Sequence, residues 1–403
     1  MKKLMVISLI LLLSCSISFP VDASGFLYSG LFGGLGIFHS KDEKSNDNKE
    51  KVIEREFKTG MGKLLDLQLK TGGSIKIKGW DQEKLYVKVT MDGEDWKDCK
   101  VEFEESEKGI SISSMYEEWK RNRNVDCLFE INVPRKYNIT LNTMGGDVNL
   151  DNIDGSMKGE TMGGKLILDN LKGELVLTTM GGSIILTNSE VDGKVSSMGG
   201  QVRIKDVKGD IQGSSMGGNV SYENVTRKTG DMGSEANIST MGGDINLDQA
   251  PLGANLSTMG GDITVNSVKK FVRANTMGGH IEIKDADGRI DATTMAGNID
   301  VTVTGNGSEG GHDVKLLSKS GDITLTVPAD FSMDVAVKLA YTKHHEGKSQ
   351  IISDFDLKQE NDKDWNHNHG SHRKFIHGSG SFNGGKNRVF IETVNGNVYL
   401  KKM

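Results

Sequence analysis

Methionine followed by a glycine pair recurs nine times, at Met144, Met162, Met180, Met198, Met216, Met241, Met259, Met277 and Met295; the last copy has Ala296-Gly297 in place of the pair. Seven of the eight intervals are 18 residues and the other, from Met216 to Met241, is 25. A fixed period of this length marks a chain of stacked supersecondary units, each too small to bury its own apolar face. Counted from the Met, the fourth position is always apolar (Val148, Leu166, Ile184, Val202, Val220, Ile245, Ile263, Ile281, Ile299). The sixth is apolar as well (Leu150, Leu168, Leu186, Ile204, Tyr222, Leu247, Val265, Ile283, Val301), with mostly polar residues between. That period of two predicts a strand with one buried face. A weaker inward pair falls near positions 13 and 15, as in Leu175 and Leu177 or Val272 and Ala274. The Gly pair marks one corner, and Asn or Asp at the eighth position marks the other (Asn152, Asn170, Asn188, Asp206, Asn224).

The expectation is an all-β fold, a single-stranded β-solenoid with 18-residue coils and an irregular β N-terminal cap. Nine coils stacked at the strand spacing of about 4.8 Å make a rod roughly 40 Å long. The 51 Gly and 4 Pro among 403 residues fit corners and ladder strands. They exclude long helices, and Gly is not spaced every third residue as collagen demands. The net charge of −6 gives no reason to expect nucleic acid.

Further copies lie outside the Met series: Thr71-Gly72-Gly73-Ser74-Ile75, Ser318-Lys319-Ser320-Gly321-Asp322-Ile323 and Thr393-Val394-Asn395-Gly396-Asn397-Val398. The expected organisation is a signal peptide over 1–23, a flexible linker over 24–54 that is highly charged from Ser40 to Glu54, and an N-terminal cap with a first coil over 55–141. The regular solenoid follows over 142–327, then a C-terminal cap with a His-rich loop and the final coil over 328–403. A loop from Thr226 to Glu235 accounts for the 25-residue interval. At the start, Lys2 and Lys3 followed by the apolar run Leu4 to Leu13 read as an export signal. Two processing readings stay open: cleavage after Ala23, at Val21-Asp22-Ala23, or acylation of Cys15 as a lipid anchor. No later segment has the roughly 18 apolar residues of a membrane span.

These features resemble the bacterial putative-adhesin family, a domain of unknown function expected to form a β-solenoid on the cell envelope. The matching elements are Gly72-Gly73-Ser74-Ile75 followed by Lys78-Gly79-Trp80-Asp81, a strand ending Val133-Pro134, Gly384-Gly385, and Ile391 through Leu400. The likeness spans 55–403, and the near-uniform Met-Gly-Gly departs from it. It implies an envelope location and adhesion.

The Met column holds nine of the chain's 18 Met. Two readings are open: polarisable filler in a core corner, or an exposed ladder of thioethers serving as a binding edge. Lys319 in the same column of a late copy favours exposure. Asp244, Asp262 and His280 share the third column in successive coils, where neighbouring carboxylates suit glycoside hydrolysis. The rest of that column (Asp147, Lys165, Ser183, Gln201, Asn219, Asn298) is an exposed-turn mixture and outweighs that reading. Calcium-binding nonapeptide rolls share the 18-residue period, but Asp is too sporadic here. His367, His369, His372 and His377 are dense enough to raise zinc or copper binding, against an exposed His/Asn loop with no strand pattern. Cys99 and Cys127 sit in strand-like sequence and form a disulfide candidate for an oxidising compartment. The expected function is a non-catalytic exported envelope protein, an adhesin or surface binding protein using the solenoid face. It has no cofactor, and its partner is an envelope, glycan or protein ligand. A structural envelope protein is the alternative, and a solenoid glycan-active enzyme a distant third.

Overall fold

The computed structural model describes residues 50–117, 124–226, 235–366 and 372–403. They belong to one compact unit, Lys41–Met403. The leader, Cys15 and the centre of the Thr226–Glu235 loop lie outside the described residues. Apart from three short 3-10 turns, the described regular structure is strand throughout.

Two parallel ladders face each other across a continuous core. In the first, Val148 pairs in register with Leu166, Leu166 with Ile184, Ile184 with Val202 and Val202 with Val220. The same column continues through Ile245, Ile263, Ile281, Ile299 and Ile323. All ten of these side chains are buried at 0–1% exposure, so each contributes about 2 kcal/mol through the water it excludes. The second ladder stacks Leu175, Ala254, Val272, Ile290 and Val314 toward the same core. Its weaker periodicity has a packing reason. Gly213 faces the ring of Tyr222, whose hydroxyl accepts the Gly213 N–H at 2.6 Å and donates to the Ile211 carbonyl at 3.1 Å. A large residue on one ladder is matched by a missing side chain on the other, which keeps the core filled.

Both corners follow from local chemistry. Asn152, Asn170, Asn188, Asp206 and Asn224 all have positive φ, between 49° and 60°. Asn and Asp tolerate that conformation, and here their side chains also bond along the stack: Asn170 Nδ2 donates to Asn152 Oδ1 at 3.1 Å and Asn224 Nδ2 to Asp206 Oδ1 at 2.6 Å. At the Gly corner, the residue before each Met is Thr or Ser and is buried. Its hydroxyl clamps two coils: Thr258 Oγ1 donates to the Gly243 carbonyl of the preceding coil at 2.9 Å and accepts the Gly261 N–H at 3.3 Å. Thr179, Ser197, Ser215, Thr240 and Thr276 repeat the arrangement. This hydroxyl column satisfies corner groups that would otherwise be buried without partners.

The ends depart from simple stacking in chain order. The coil made by Leu64–Leu69 and Ser74–Trp80 lies between two later ones: Leu64–Leu69 pairs with both Gly109–Tyr116 and Asn138–Thr143, and Ser74–Trp80 with both Asp126–Pro134 and Val148–Asp151. The C-terminal end repeats the device. Asn387–Val394 lies between Val314–Ser318 and Met333–Thr342, and Val398–Lys402 between Ile323–Val327 and Ile351–Ser353. The last coil in sequence is therefore an inner layer in space. Antiparallel strands close both ends, with Lys84–Asp92 on Asp126–Pro134 and Arg373–Phe382 on Met333–Thr342. Such closure blunts the open edge that parallel stacking leaves.

Two sequence expectations change. The linker expected through residue 54 ends earlier, because Glu50–Lys58 is a strand paired antiparallel with Lys84–Asp92. Its alternating charges hide the pattern, and only Ile53 and Phe57 pack against the core. The stretch after the His-rich loop is also a strand, Arg373–Phe382. It covers an end, is mostly half-exposed, and so lacks a strict inward/outward alternation.

Candidate functional site

All nine Met of the repeat point outward, from Met180 at 41% exposed to Met144 at 59%. The corner backbone beneath them is tied from coil to coil: the Met259 N–H donates to the Met241 carbonyl and the Met277 N–H to the Met259 carbonyl, each at 3.2 Å. Equivalent atoms on neighbouring coils are thus one strand spacing apart, about 4.8 Å. The Met occupy one continuous edge of the stack, with Lys319 next in the column, 4.0 Å from Glu392.

Beside this edge, the outward face of the second ladder carries a groove across several coils. Two adjoining depressions of about 450 Å³ and about 280 Å³ share Asn255 and Arg273 in their walls. The floor is made of short polar side chains on successive strands, among them Ser214, Ser239, Ser257, Asn237 and Asn255. Lys270, Phe271, Arg273 and Arg289 line the broader end. Asp291, on the same wall, is 3.8 Å from Lys315. The Asp313 carboxyl is held below its ordinary range, chiefly by the Arg388 N–H and in smaller part by the nearby Arg289; Glu235 lines the same end of the groove. Asn255 Nδ2 donates to Asn237 Oδ1 at 3.0 Å, while Asn255 Oδ1 is shielded from water and has no hydrogen-bond donor. Apart from Lys270 at position 11, these groove residues come from positions 12, 14 and 16 of the repeat, the outward side of the second strand. Sequence reading missed them because it followed only the inward positions 13 and 15; a column of Ser and Asn between the apolar residues was the available signal.

The third column has a structural use. Asp244 Oδ1 accepts the Asp262 N–H at 2.9 Å, Asp262 Oδ1 accepts the His280 N–H at 2.6 Å, and His280 Nδ1 accepts the Asn298 N–H at 2.9 Å. The same bond joins Asp147 to the Lys165 N–H and Asn298 to the Asp322 N–H. A carboxylate, an amide and an imidazole are interchangeable here because each only has to accept a backbone N–H from the next coil. The candidate acid and base residues are therefore rungs of a corner ladder.

Cys99 and Cys127 are buried with their sulfurs 3.7 Å apart, in contact but not joined in a disulfide. The contact with Cys99 and then burial push the Cys127 thiol far above its ordinary value. The chain-entropy model gives about 3–4 kcal/mol for closing such a loop. In protein purified from an oxidising compartment we expect no maleimide labelling until reductant is added. After reduction, native protein at pH 8 should label much more slowly than denatured protein, because little thiolate forms. Rapid labelling of native, unreduced protein would contradict both expectations.

Of the four His proposed as metal ligands, His367 and His369 lie outside the described residues. His377 Nε2 is 3.7 Å from Asp362 Oδ1, and its ring stacks on Phe375. Among the described residues there is no group of three or more His, Cys, Asp or Glu placed to hold a metal, and no helix long and apolar enough to cross a membrane.

No curated protein matches this sequence. Among solved structures, the chain is similar to a putative cell adhesion protein from Clostridium sporogenes at 14% identity, covering 88% of this chain and 99% of that one with a TM-score of 0.19. It is also similar to a putative adhesin from Parabacteroides merdae at 12% identity, covering 62% and 95% with a TM-score of 0.36. A putative lipid binding protein from Parabacteroides distasonis is 16% identical over 63% and 97%, with a TM-score of 0.29. The assignment rests on the family match, which describes Toastrack DUF4097 and runs over residues 46–401. With nearly the whole solenoid inside that match, the chain belongs to the Toastrack DUF4097 family.

Proposed function

We propose that this protein is an exported, non-catalytic binding protein of the cell envelope, an adhesin whose solenoid face takes an extended anionic glycan. The observation that carries this reading is the groove on the second ladder. Cationic Lys270, Arg273 and Arg289 stand at one end of a floor of amides and hydroxyls that repeats along the stack. Guanidinium groups pair with carboxylate or sulfate in a fixed fork, and Asn and Ser side chains match sugar hydroxyls. Phe271 adds an apolar plane. The leader, with Lys2 and Lys3 before its apolar run, supports export.

The test is immobilised heparin or polygalacturonate against neutral dextran, with wild type and an Arg273→Ala/Arg289→Ala double variant. Wild type should bind the acidic polymers and not dextran, more weakly as salt rises. The variant should lose at least tenfold in affinity while keeping its β circular dichroism. Release of new reducing ends from either polymer would speak for an enzyme. Absence of binding by wild type, or full binding by the variant, would overturn the reading and leave a structural envelope role.

A further inference from the structure

We propose that the Met edge is a binding site for a soft, monovalent d10 cation, copper(I) in its biological form, held between thioether sulfurs of neighbouring coils. Several columns of the repeat are uniform, and most of them have a structural cause. The second Gly is uniform because a side chain there would strike the preceding coil: a Cβ at Gly261 would sit 2.1 Å from the Gly243 carbonyl oxygen. The Thr or Ser before the Met is uniform because its hydroxyl clamps two coils. The inward aliphatic residues are uniform because they form the core. Exposed columns vary freely, the third running through Asp, Lys, Ser, Gln, Asn and His, and the fifth through Asn149, Ile167, Arg203, Thr264 and Glu282. Apart from the first Gly of each corner, which has no side chain to offer a ligand, the Met column is the one that is both exposed and uniform. The fold does not require it, since the same corner carries Lys319 one coil further on.

What a thioether supplies and Leu, Lys or Ser does not is a soft sulfur donor. Thioethers select copper(I) over the hard or borderline ions that prefer oxygen and imidazole. The spacing suits it. The Met backbones of neighbouring coils are one strand spacing apart, about 4.8 Å, so side chains in matching rotamers repeat their sulfurs at that distance. Two metal–sulfur bonds of about 2.3 Å, the length zinc makes to sulfur, reach about 4.6 Å end to end. A two-coordinate ion therefore fits between adjacent rungs, and the three rotatable bonds of Met let a third sulfur close in. At two sulfurs per ion, nine rungs hold about four ions. This site is separate from the groove residues, so it stands or falls independently of glycan binding.

The experiment is competition for copper(I) against bicinchoninate under anaerobic conditions, using the full chain in a Cys99→Ser/Cys127→Ser background so that thiols do not contribute. The comparison is a variant with Met241, Met259, Met277 and Met295 changed to Leu, which keeps size and apolarity and removes only the sulfur. The wild-type edge should take about four equivalents, with sulfur as the nearest scatterer in X-ray absorption. The Leu variant should take about half as many, and zinc(II) should not compete. Silver(I), redox-inert, should shift the Met methyl resonances of the same residues. No copper(I) uptake by a folded wild type, or equal uptake by the Leu variant, would overturn the proposal. An apolar docking edge would be untouched by Met→Leu, so the comparison separates the two uses of the stripe.

Discussion

Replacing Gly261 by Ala should destabilise the solenoid by about 3 kcal/mol or more, while the same change one residue earlier, at Gly260, should stay within about 0.5 kcal/mol. A methyl at Gly261 would stand 2.1 Å from the Gly243 oxygen, 2.4 Å from its carbon and 2.7 Å from the Asp244 nitrogen. All three are backbone atoms of the neighbouring coil, so no side chain can rotate away. The coils must part, which stretches the Thr258 clamp and the Asp244–Asp262 rung together. At Gly260 the nearest atom is the Gly242 oxygen at 3.4 Å, and Ala296 already fills the equivalent place in the Met295 coil. Because stacked repeats need not unfold in one step, amide hydrogen exchange is the appropriate measurement. Loss of protection should centre on the strands of 245–268 in Gly261→Ala and be absent in Gly260→Ala. Equal protection in both variants would remove the steric account of the Gly pair.

A chain ended after Gly385 should fail at its C-terminal end far beyond what the loss of a short tail suggests. The missing strands, Asn387–Val394 and Val398–Lys402, form the inner layer between Val314–Val327 and the outer strands Met333–Thr342 and Ile351–Ser353. Val389, Ile391, Val398 and Leu400 are buried at 0–1% exposure, and their removal costs roughly 8 kcal/mol of burial, the size of a whole domain's stability. The outer strands lose their parallel partners, and the edge of Val314–Ser318 is opened to other chains. Limited proteolysis should cut between 328 and 385, and the truncated chain should self-associate. Deleting Met259–Thr276, also a short segment, should instead leave a folded protein one coil shorter. Thr258 would then join Met277, which occupies the same position in the next coil, so every register is kept. If the truncation resists protease as well as the full chain does, the inner placement of the final coil is wrong.

Much of this was legible along the chain. The period of 18 gave the coil, the alternation at positions four and six gave the buried ladder, and the Asn column gave the second corner, because each is a local rule repeated many times. The exposed direction of the Met was signalled by Lys319 and by the alternation continuing from the inward positions 13 and 15. The groove was not legible as a site. Arg273 and Asn237 are 36 positions apart in sequence, and neither differs from any solvated residue until the coils are stacked. The third-column residues were legible as polar but not as a ladder, because Asp262 and His280 share a role only through the N–H each accepts.

The sequence by itself determined the coil: its length, its two corners, and which side chains go inward. Those depend on residues within one period, where sterics at Gly and Asn and the hydrophobic pattern act locally. Only the tertiary structure decided the order of the layers at the two ends, where the first and last coils in sequence lie inside later or earlier ones. Every coil presents nearly the same strand to its neighbours, so local pattern cannot distinguish one stacking order from another. The choice falls to the long antiparallel strands, which must lie outermost to close the open edges.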